Sequence, residues 1–359
     1  MTWWVILILA PLIRQAYLIP LELIVSMIHK VTLIPGNGIG PEVAQAARRV
    51  IDASGVSIEW EEVGARPPYD KPNADFSQWA VVQSVRRNGV ALKGPIATPI
   101  GEGPASINVG LRKELEVYAN LRPVKNLAGV PSRWENVDMV IVRENTEDLY
   151  SGLEHVVVQG VVESLKIITE KASTRIAKFA FEYARKNGRK KIHAIHKANI
   201  MKLSDGLFLT SVRKVAQHYP EIEYRELIVD NACMQLAMKP EQFDVLVLPN
   251  LYGDVISDLA AGLVGGLGFV PSGNIGDLQA IFEAVHGTAP DIAGKGVANP
   301  TAILMSGIMM LDYLNEQEAA RRVEKALQSV YRAGKPLTPD AGGNATSREF
   351  TDAVIHAMQ

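Results

Sequence analysis

Residues 29–51, HKVTLIPGNGIGPEVAQAARRVI, place a strand, a glycine-rich loop and a helix in direct succession. The apolar run at 29–35 predicts a buried strand, and Pro41 opens a helix to Ser54 whose apolar residues share one face. Further strands are predicted at 58–63, 137–142, 191–195 and 245–248, and an amphipathic helix at 173–187. Strands that alternate with helices in this way predict an α/β fold with a largely parallel sheet.

The loop Gly36-Asn37-Gly38-Ile39-Gly40-Pro41 follows a strand and begins a helix, as dinucleotide-binding loops do. Its spacing is G-x-G-x-G, and Pro41 stands where the third glycine of G-x-G-x-x-G belongs. A tight turn that needs glycine backbone freedom explains the pattern as well. The spacing therefore favours a turn over a phosphate-binding role.

The composition of the 359-residue chain, 47% apolar and 21% charged, is ordinary for a globular protein. Its formal net charge of -2 provides no basic field for nucleic acid or an anionic membrane surface, so neither is an expected partner. Cys233 is the only cysteine, which excludes an internal disulfide and a cysteine-rich zinc site. A reducing compartment fits this usage, and we expect a cytoplasmic location.

Residues 1–26 differ from the rest because they are almost wholly apolar. Pro11, Arg14, Pro20 and Glu22 interrupt them, so no run reaches the roughly 18 apolar residues that a transmembrane helix needs. A signal peptide is not indicated, because a basic first region and a small-residue cleavage site are absent. We interpret the segment as an apolar N-terminal extension; a packing helix and a membrane anchor are less favoured alternatives.

Residues 150–170 break the alternation of strands and helices. The run VVVQGVVESLKIIT has β-rich segments on both sides of Gln159-Gly160, which predicts a hairpin arm. Because an isolated two-stranded hairpin is only marginally stable in water, we expect this arm to pair with a second subunit.

Three arginines in separate segments predict an anion site. Arg112 ends the motif SINVGLR, Arg122 follows it, and Arg143 closes a strand. Guanidinium groups that converge bind carboxylates in bidentate fashion, so the three together favour a substrate with several carboxylates. Each arginine taken singly is more often a surface ion-pair partner.

Two aspartates lie four residues apart in GDVISD, at the start of a predicted helix. That spacing turns the carboxylates of Asp254 and Asp258 in the same direction, and Asp230 lies at the end of another predicted strand. Several carboxylates together suit Mg²⁺ or Mn²⁺. Capping of the helix N-terminus by Asp254 is the alternative explanation.

Two further groups have the chemistry of proton transfer: Tyr150, at the end of RENTEDLY, and Lys197, in IHKAN. Either one alone is more readily explained as a structural residue. The polar stretch from His286 to Asn299 contains several glycines, so its backbone allows a nucleotide to approach closely. A plain surface turn is the alternative.

The chain is similar to one enzyme family in several stretches that occur in the same order. They are LKGPIATP, SINVGLRKELEVYANLRP, RENTEDLYSGLEH, HKANIMK, NLYGDVISDLAAGLVGG and HGTAPDIAGKGVANP. These motifs resemble those of the metal-dependent β-decarboxylating dehydrogenases, the family of isocitrate, homoisocitrate and 3-isopropylmalate dehydrogenases. The resemblance runs from about Val31 to the C-terminus.

The resemblance implies an isocitrate/isopropylmalate dehydrogenase-like two-domain fold. A large α/β domain is expected from both chain ends, residues 27–117 and 265–359, and a smaller dimerisation domain from 118–264, with a clasp-like arm at 150–170. Residues 1–26 stand outside both domains. The family also implies a homodimer or higher homo-oligomer with composite active sites, and a glycine loop that is not a phosphate cradle.

Individual roles follow from the same resemblance. The substrate carboxylates would be bound by Ser106, Asn108, Arg112, Arg122 and Arg143. The catalytic pair would be Tyr150 and Lys197, with Lys197 and Asp230 supplied by the neighbouring protomer. Mg²⁺ or Mn²⁺ would be held by Asp230, Asp254 and Asp258. The nicotinamide dinucleotide would be bound by Thr98, His286, Gly287, Thr288, Ala289, Asp291, Ile292 and Asn299.

Within the family, Ser106 and Asn108 favour isocitrate because both can hydrogen-bond a third carboxylate, where isopropylmalate enzymes place an acidic and an apolar residue. The implied reaction is oxidative decarboxylation of isocitrate to 2-oxoglutarate and CO₂ with reduction of NAD. Homoisocitrate is the second choice, and 3-isopropylmalate is a further alternative. NAD is expected because Asp291 and Ile292 stand where the family's NADP users typically have Lys and Tyr.

A non-catalytic regulatory subunit of NAD-isocitrate dehydrogenase is the competing interpretation. Such a subunit would share the fold and bind ligands without turnover, and it would be expected to lose some catalytic or metal-binding positions. Tyr150, Lys197 and the three aspartates are all present, so an enzyme is favoured.

Overall fold

The computed structural model describes residues 28–64, 76–98 and 106–359, so the extension at 1–26 lies outside it. The strands are β1 (His29–Ile34), β2 (Ile58–Glu62), β3 (Val90–Lys93), β4 (Ala119–Lys125), β5 (Asp138–Glu144), β6 (Glu154–Val158), β7 (Val161–Ser164), β8 (Lys191–His196), β9 (Glu223–Ile228), β10 (Val245–Leu248), β11 (Pro271–Ile275) and β12 (Ala280–Ala284). The helices are α1 (Gly40–Ala53), α2 (Ala80–Asn88), α3 (Ile107–Glu114), α4 (Glu170–Lys186), α5 (Ser204–Ala216), α6 (Val229–Met238), α7 (Asn250–Leu263), α8 (Thr301–Tyr313), α9 (Gln317–Ala333) and α10 (Ser347–His356).

Ten of these strands form one sheet in the order β2-β1-β3-β12-β11-β4-β5-β10-β8-β9. The four strands at each end are parallel to one another, as the alternation of strands and helices predicts. Between the two parallel blocks, β11 and β4 pair antiparallel with each other and with their outer neighbours. The sheet is therefore mixed, because β12 follows β11 through a short turn that only an antiparallel pair allows.

Helices cover both faces of the sheet. One parallel block is covered by α1, α8, α9 and α10 on one face and by α2 and α3 on the other. The second block lies between α4 and α5 on one face and α6 and α7 on the other. The predicted α/β fold is confirmed, while the division of the chain into two domains stays a prediction. Within the described ranges, no helix has both the length and the apolar character needed to cross a bilayer.

β6 and β7 form a separate antiparallel hairpin that turns at Gln159-Gly160. Its apolar side chains face solvent in the single chain: Val156 is 67% accessible and Val162 63%. A two-stranded hairpin with no covered apolar face is marginally stable, so it is stabilised where a further surface packs on it.

The glycine loop after β1 packs against two other backbone segments. Gly36 and Gly38 have positive φ angles of 80° and 59°, a region that disfavours residues with side chains. A Cβ at Gly38 would lie 2.0 Å from the carbonyl oxygen of Thr288, which also accepts a hydrogen bond from the Ile39 amide at 3.0 Å. A Cβ at Gly36 would lie 2.1 Å from the Pro95 carbonyl oxygen. The glycines therefore serve a turn and a close backbone contact.

We predict that Gly38→Ala displaces the segment around Thr288. A positive φ costs about 1–2 kcal/mol for a residue with a side chain, and the collision with the Thr288 oxygen adds to that cost. The midpoint of thermal unfolding should fall and the KM for NAD should rise.

Gly188→Ala is the matched control for this variant. Gly188 also has a positive φ, 66°, but no described atom lies within 4 Å of its added Cβ. Equal effects of the two variants on unfolding and on the KM for NAD would show that the contact with Thr288 has no influence.

Candidate active site

Arg112, Arg122 and Arg143, here called the arginine cluster, come together near the centre of the sheet. Arg122 lies on β4, Arg143 on β5, and Arg112 in the last turn of α3. Arg143 is 1% accessible and Arg122 5%. Asn120 of β4 faces Arg143 across the strand pair, and Arg122 follows Asn120 by two residues. The side chains of Asn120, Arg122 and Arg143 therefore lie on one face of the sheet. The cluster is therefore buried and not a set of surface ion pairs.

Arg112 is held by Glu283, a buried carboxylate on β12. Arg112 Nη2 donates to Glu283 Oε1 at 3.0 Å, and Lys93 Nζ on β3 lies 2.5 Å from Oε2. Asn274 of β11 donates to the same carboxylate at 2.7 Å. Burial alone would raise the pKa of Glu283, but Lys93 and Arg112 hold it well below its usual range. Glu283 is therefore an ionised counter-charge inside the sheet.

Arg122 is surrounded by polar acceptors. It donates to Asn120 Oδ1 at 2.7 Å and to Ser257 Oγ at 2.5 Å, and its Nη1 lies 3.4 Å from Asp258. Burial, and then repulsion by Arg143, lowers its pKa to about 10. Because that value is well above neutral pH, the guanidinium keeps its charge in the buried site.

Arg143 reaches α7, where its Nη1 contacts Asp254. Tyr150 Oη donates to the other oxygen of Asp254 at 2.5 Å, and the Arg143 guanidinium lies 5.0 Å from the Tyr150 ring centroid. Burial, and then the Asp254 carboxylate, raises the pKa of Tyr150. Burial opposes ionisation of Asp254, but Arg143 and Tyr150 together lower its pKa. The site thus combines a protonated phenol with an ionised carboxylate.

A cavity beside the arginine cluster contains polar atoms without partners. Its lining includes Lys93, Asn108, Arg112, Arg122, Glu283 and His286. Among the described residues, the buried side-chain atoms that lack a hydrogen-bond partner include Asn108 Oδ1, Arg112 Nε and His286 Nε2. Native structures leave few buried polar atoms unpaired, so three such atoms in one cavity indicate a polar ligand.

Ser106 and Thr98 connect the predicted substrate residues with the predicted dinucleotide residues. Ser106 Oγ caps α3, where it accepts the Val109 amide at 3.5 Å, and it lies 3.1 Å from Thr98 Oγ1. Asn108 Nδ2 donates to the Ile96 carbonyl oxygen at 3.3 Å, which leaves Oδ1 for the cavity. The two predicted binding regions therefore adjoin at these side chains.

The predicted metal ligands lie in two places. Asp254 and Asp258 share one face of α7 and both approach Arg122, and burial raises the pKa of Asp258. Asp254 makes no N-terminal cap, since α7 begins at Asn250. Asp230, predicted at the end of a strand, lies in the first turn of α6, two residues beyond the end of β9, and contacts Lys197. No group of three His, Cys, Asp or Glu residues in the described chain is placed to hold a metal ion.

Lys197 and Asp230 form a pair at the carboxyl ends of two neighbouring parallel strands, β8 and β9. The Lys197 side chain is 27% accessible and that of Asp230 67%. The hydrogen bond from Lys197 lowers the pKa of Asp230. The Lys197 amide donates to the buried carboxylate of Asp205 at 2.6 Å, which fixes the loop that carries the pair. The pair therefore faces a surface that a second molecule can reach.

The predicted dinucleotide loop begins directly after β12. Burial lowers the pKa of His286, so its imidazole is neutral near pH 7. Gly287 has no described atom within 4 Å of an added Cβ, which leaves space beside its backbone. Ala289 has a φ of 38° and, like Ile292, packs against the apolar cluster beneath the loop. Asp291 between them is exposed. The loop thus has an apolar underside and a polar outer side.

Asn299 has a different environment from the other predicted dinucleotide residues. Its side-chain amide donates to Asp340 at 3.0 Å, and its oxygen accepts the Thr301 amide at 3.0 Å at the start of α8. Both ends of the side chain therefore hold the loop in shape. A contact with a ligand would have to come from its backbone or replace one of these bonds.

Sequence reasoning did not single out Lys93, Glu283 or Asn250. Lys93 stands in LKGPIATP and Asn250 in NLYGDVISD, and in neither motif does the spacing point to that residue. Glu283 is the one charged residue of the strand Ala280–Ala284, AIFEA. A charge inside an otherwise apolar strand is a signal that could have identified it.

The chain is similar to known enzymes in sequence and in structure. The family model described as isocitrate/isopropylmalate dehydrogenase matches residues 30–354. Catalytic subunit 5 of mitochondrial NAD isocitrate dehydrogenase from Arabidopsis thaliana is 56% identical over 324 residues, 90% of this chain and 87% of that protein. A protein from Dictyostelium discoideum, named as a regulatory subunit of the mitochondrial NAD enzyme, is 55% identical, with 92% of both chains covered. The crystal structure of isocitrate dehydrogenase from Methylococcus capsulatus has a TM-score of 0.87 and 46% identity, with 92% of this chain and 99% of that chain covered.

The expectation of a cytoplasmic location is wrong. The Arabidopsis and Dictyostelium relatives are both named as mitochondrial proteins, which points to mitochondria rather than the cytoplasm. The expectation rested on the single cysteine, Cys233. A lone cysteine shows only that the fold needs no disulfide, and that condition does not distinguish one reducing compartment from another.

Proposed function

This chain belongs to the isocitrate/isopropylmalate dehydrogenase family, and we propose that it oxidises isocitrate with NAD and releases CO₂ to form 2-oxoglutarate. The observation that carries this proposal is the cavity beside the buried arginine cluster. Asn108 and Arg112 line it, each with a buried polar atom that has no hydrogen-bond partner among the described residues, and such residues suit the oxygens and hydroxyl of a small polyanion.

The charge of the cavity favours a substrate with three carboxylates. Lys93, Arg112 and Arg122 line the cavity as cations, and Glu283 is the one carboxylate among the residues that line it. Ser106 and Asn108 add neutral hydrogen-bonding groups near α3. The apolar group of 3-isopropylmalate would leave these polar atoms unpaired, at a cost of about 1–3 kcal/mol each. Isocitrate is therefore favoured, with homoisocitrate second.

Two carboxylates on α7, Asp254 and Asp258, fit an oxygen-coordinated divalent cation, and we assign the third ligand to Asp230 of a second copy. When bound, Mg²⁺ or Mn²⁺ would polarise the hydroxyl and neighbouring carboxylate of the substrate. Thr98 and the loop that begins at His286 would hold NAD, which would supply the acceptor for the hydride of C2.

Tyr150 and the Lys197–Asp230 pair suit two different proton transfers. The hydroxyl proton of isocitrate must leave as hydride leaves C2, and the accessible Lys197–Asp230 pair can carry it away. After CO₂ is lost, C3 needs a proton. The Tyr150 hydroxyl carries a proton, which it donates in a hydrogen bond to Asp254 at 2.5 Å, beside the arginine cluster. The two groups therefore divide the reaction between them.

Exposed apolar side chains support a second copy of this chain as partner. On α6, Met234 is 53% and Met238 59% accessible, and on α7 Val255 is 55% accessible. These helices also carry the acidic residues, so a copy packed against them would bury apolar area next to the site. We propose a homodimer or higher homo-oligomer in which each site takes Tyr150 from one copy and Lys197 from the other. A larger interface between the two copies would also cover the β6–β7 hairpin.

A regulatory role without turnover is the second candidate function, because the Dictyostelium relative is named as a regulatory subunit at 55% identity. The catalytic interpretation is favoured because Tyr150 and Lys197, the two groups assigned to proton transfer, are both present and contact Asp254 and Asp230. Activity of the protein in the absence of any other polypeptide separates the two candidates.

The protein alone is expected to reduce NAD when isocitrate and Mg²⁺ or Mn²⁺ are present. Arg112→Met should lower kcat/KM for isocitrate by about a hundredfold, since loss of a buried charge-assisted contact costs roughly 3 kcal/mol. The turnover of the wild type and the kcat/KM of the variant are both measured from NADH absorbance at varied isocitrate concentration. Arg87→Met removes an exposed arginine that pairs with Glu61, and as a control it should leave kcat/KM unchanged. No turnover by the wild type, or a higher kcat/KM for 3-isopropylmalate, would contradict the proposal.

Composite sites predict complementation between two inactive variants. Tyr150→Phe and Lys197→Met should each lose most activity, but a hybrid dimer would contain one intact site. Complete random exchange makes about half of the dimers hybrid, so about a quarter of the wild-type activity should return. The matched control mixes Tyr150→Phe with the double variant Tyr150→Phe/Lys197→Met, which can form no intact site. Absence of recovery after verified exchange of protomers would show that each site is built within one chain.

Charge in the dinucleotide loop predicts the choice of cofactor. Asp291 is exposed there, Ile292 follows it, and the segment 338–344 contains no Lys, Arg or Tyr, so neither these two positions nor that segment offers a cation to the 2′-phosphate of NADP. Lys295 is the one Lys or Arg of the loop 286–299. We expect NAD to be preferred by at least about a hundredfold in kcat/KM. Asp291→Lys with Ile292→Tyr should narrow this preference, mainly by weakening NAD. Glu318→Lys, a charge reversal at an exposed position of α9, is the control; a wild-type preference for NADP would refute the prediction.

A further inference from the structure

We infer that Asn250 and Gly253 of α7 are positioning residues that fix the guanidinium of Arg143 without neutralising it. The inference rests on the proposed function, because it takes Arg143 to meet a carboxylate of isocitrate. It assigns a role in substrate binding to two helix positions that precede Asp254. Neither position was predicted from the sequence, and each acts through Arg143.

Gly253 provides the space through which Arg143 crosses α7. A Cβ at this position would lie 2.4 Å from Arg143 Cγ and 2.6 Å from Arg143 Cβ. Real Cβ atoms do not approach carbon atoms so closely, so any side chain at 253 would move Arg143. Glycine in the interior of a helix lowers helix stability, and a helix of 14 residues has no conformational need for it here. The glycine is therefore explained by the path of the arginine side chain.

Asn250 determines the direction in which the guanidinium points. Its Oδ1 accepts hydrogen bonds from Arg143 Nε at 2.9 Å and from Arg143 Nη2 at 2.7 Å. Its Nδ2 donates to the Glu147 carbonyl oxygen at 3.2 Å, so the amide cannot turn round without losing bonds at both ends. Asn250 is 1% accessible, which keeps water from replacing these bonds. Two of the three nitrogen atoms of the guanidinium are thus aligned by one fixed oxygen.

An amide aligns the guanidinium and leaves its charge in place. An aspartate at 250 would offer similar acceptors but would add a full negative charge within about 3 Å, the contact distance of a charge-assisted hydrogen bond. Arg143 would then be paired with two carboxylates, because Asp254 already contacts its Nη1. A guanidinium neutralised on both sides attracts a substrate carboxylate weakly. Asparagine at 250 therefore orients the Arg143 guanidinium without compensating its charge.

Asn250→Asp is the variant that tests this role of Asn250. It keeps the acceptors for Arg143 but loses the donor that Asn250 Nδ2 presents to the Glu147 carbonyl oxygen, so the midpoint of thermal unfolding should fall modestly, while kcat should stay within about threefold of wild type. The KM for isocitrate and its Kd by calorimetry in the presence of Mg²⁺ should both rise at least about tenfold, because the net charge at the site is lower. The KM for NAD should change less than about twofold. Asn250→Ala, which loses the alignment as well, should lower kcat in addition to raising the KM.

Gly253→Ala tests the space for Arg143 on the same helix. The added methyl group should displace Arg143 and lower kcat/KM for isocitrate by at least about tenfold. Gly262→Ala is the matched control, since Gly262 lies in α7 with no described atom within 4 Å of an added Cβ. It should leave kcat/KM unchanged and raise the unfolding midpoint slightly. Should Gly253→Ala fail to fold, Asn250→Asp decides alone.

The outcomes separate this inference from the proposed function. A wild-type protein that neither binds nor turns over isocitrate refutes the proposed function. A wild type that does both, together with an Asn250→Asp variant whose isocitrate Kd and KM equal those of wild type, overturns the inference alone. The same holds if all variants lose kcat and thermal stability in proportion, because that pattern indicates a purely structural role. A raised Kd and KM at retained kcat, with only a modest fall of the unfolding midpoint, supports it.

Discussion

The site depends on one buried ion pair network, in which Glu283 compensates Lys93 and Arg112. Buried charges are stable only when they are paired and hydrogen-bonded, and loss of one partner leaves the others uncompensated. Glu283 also lies where the sheet changes direction: β12 belongs to one parallel block, and Asn274 on the antiparallel β11 donates to the same carboxylate. One side chain thus links the first parallel block to the antiparallel joint and holds Lys93 and Arg112 in the wall of the cavity.

The second organising element is the N-terminal part of α7, where neighbouring residues hold different parts of the site. Asp254 contacts Arg143 and Tyr150. The Tyr252 hydroxyl lies 3.2 Å from Asp205, whose carboxylate also accepts the Lys197 amide. A shift of this helix would therefore move both groups assigned to proton transfer. This explains why a helix with a glycine in its interior is kept there, although the glycine lowers its intrinsic stability.

The sequence predicts the local features of this molecule well. The strand, glycine loop and helix at 29–54 and the shared face of Asp254 and Asp258 follow from periodicity and spacing, which act over a few residues. The antiparallel joint of β11 and β4 and the pairing of Lys93 with Glu283 arise between distant segments, and no short-range pattern records them. Asn299 shows the same limit, because its environment is set by Asp340 far along the chain.

The residues assigned to the proposed site form two separate groups within a single chain. Two carboxylates and the phenol lie on one side, on α7 and beside β5, while Lys197 and Asp230 form an exposed pair on another. Exposed methionines on α6 accompany that pair. Apolar association that covers α6 and α7 would supply the missing groups to each site at the same time as it buries this surface. Stability of the assembly and assembly of the catalytic groups would then share one interface, so that weakening of the apolar contact removes the proton-transfer pair before it disturbs the buried arginine cluster.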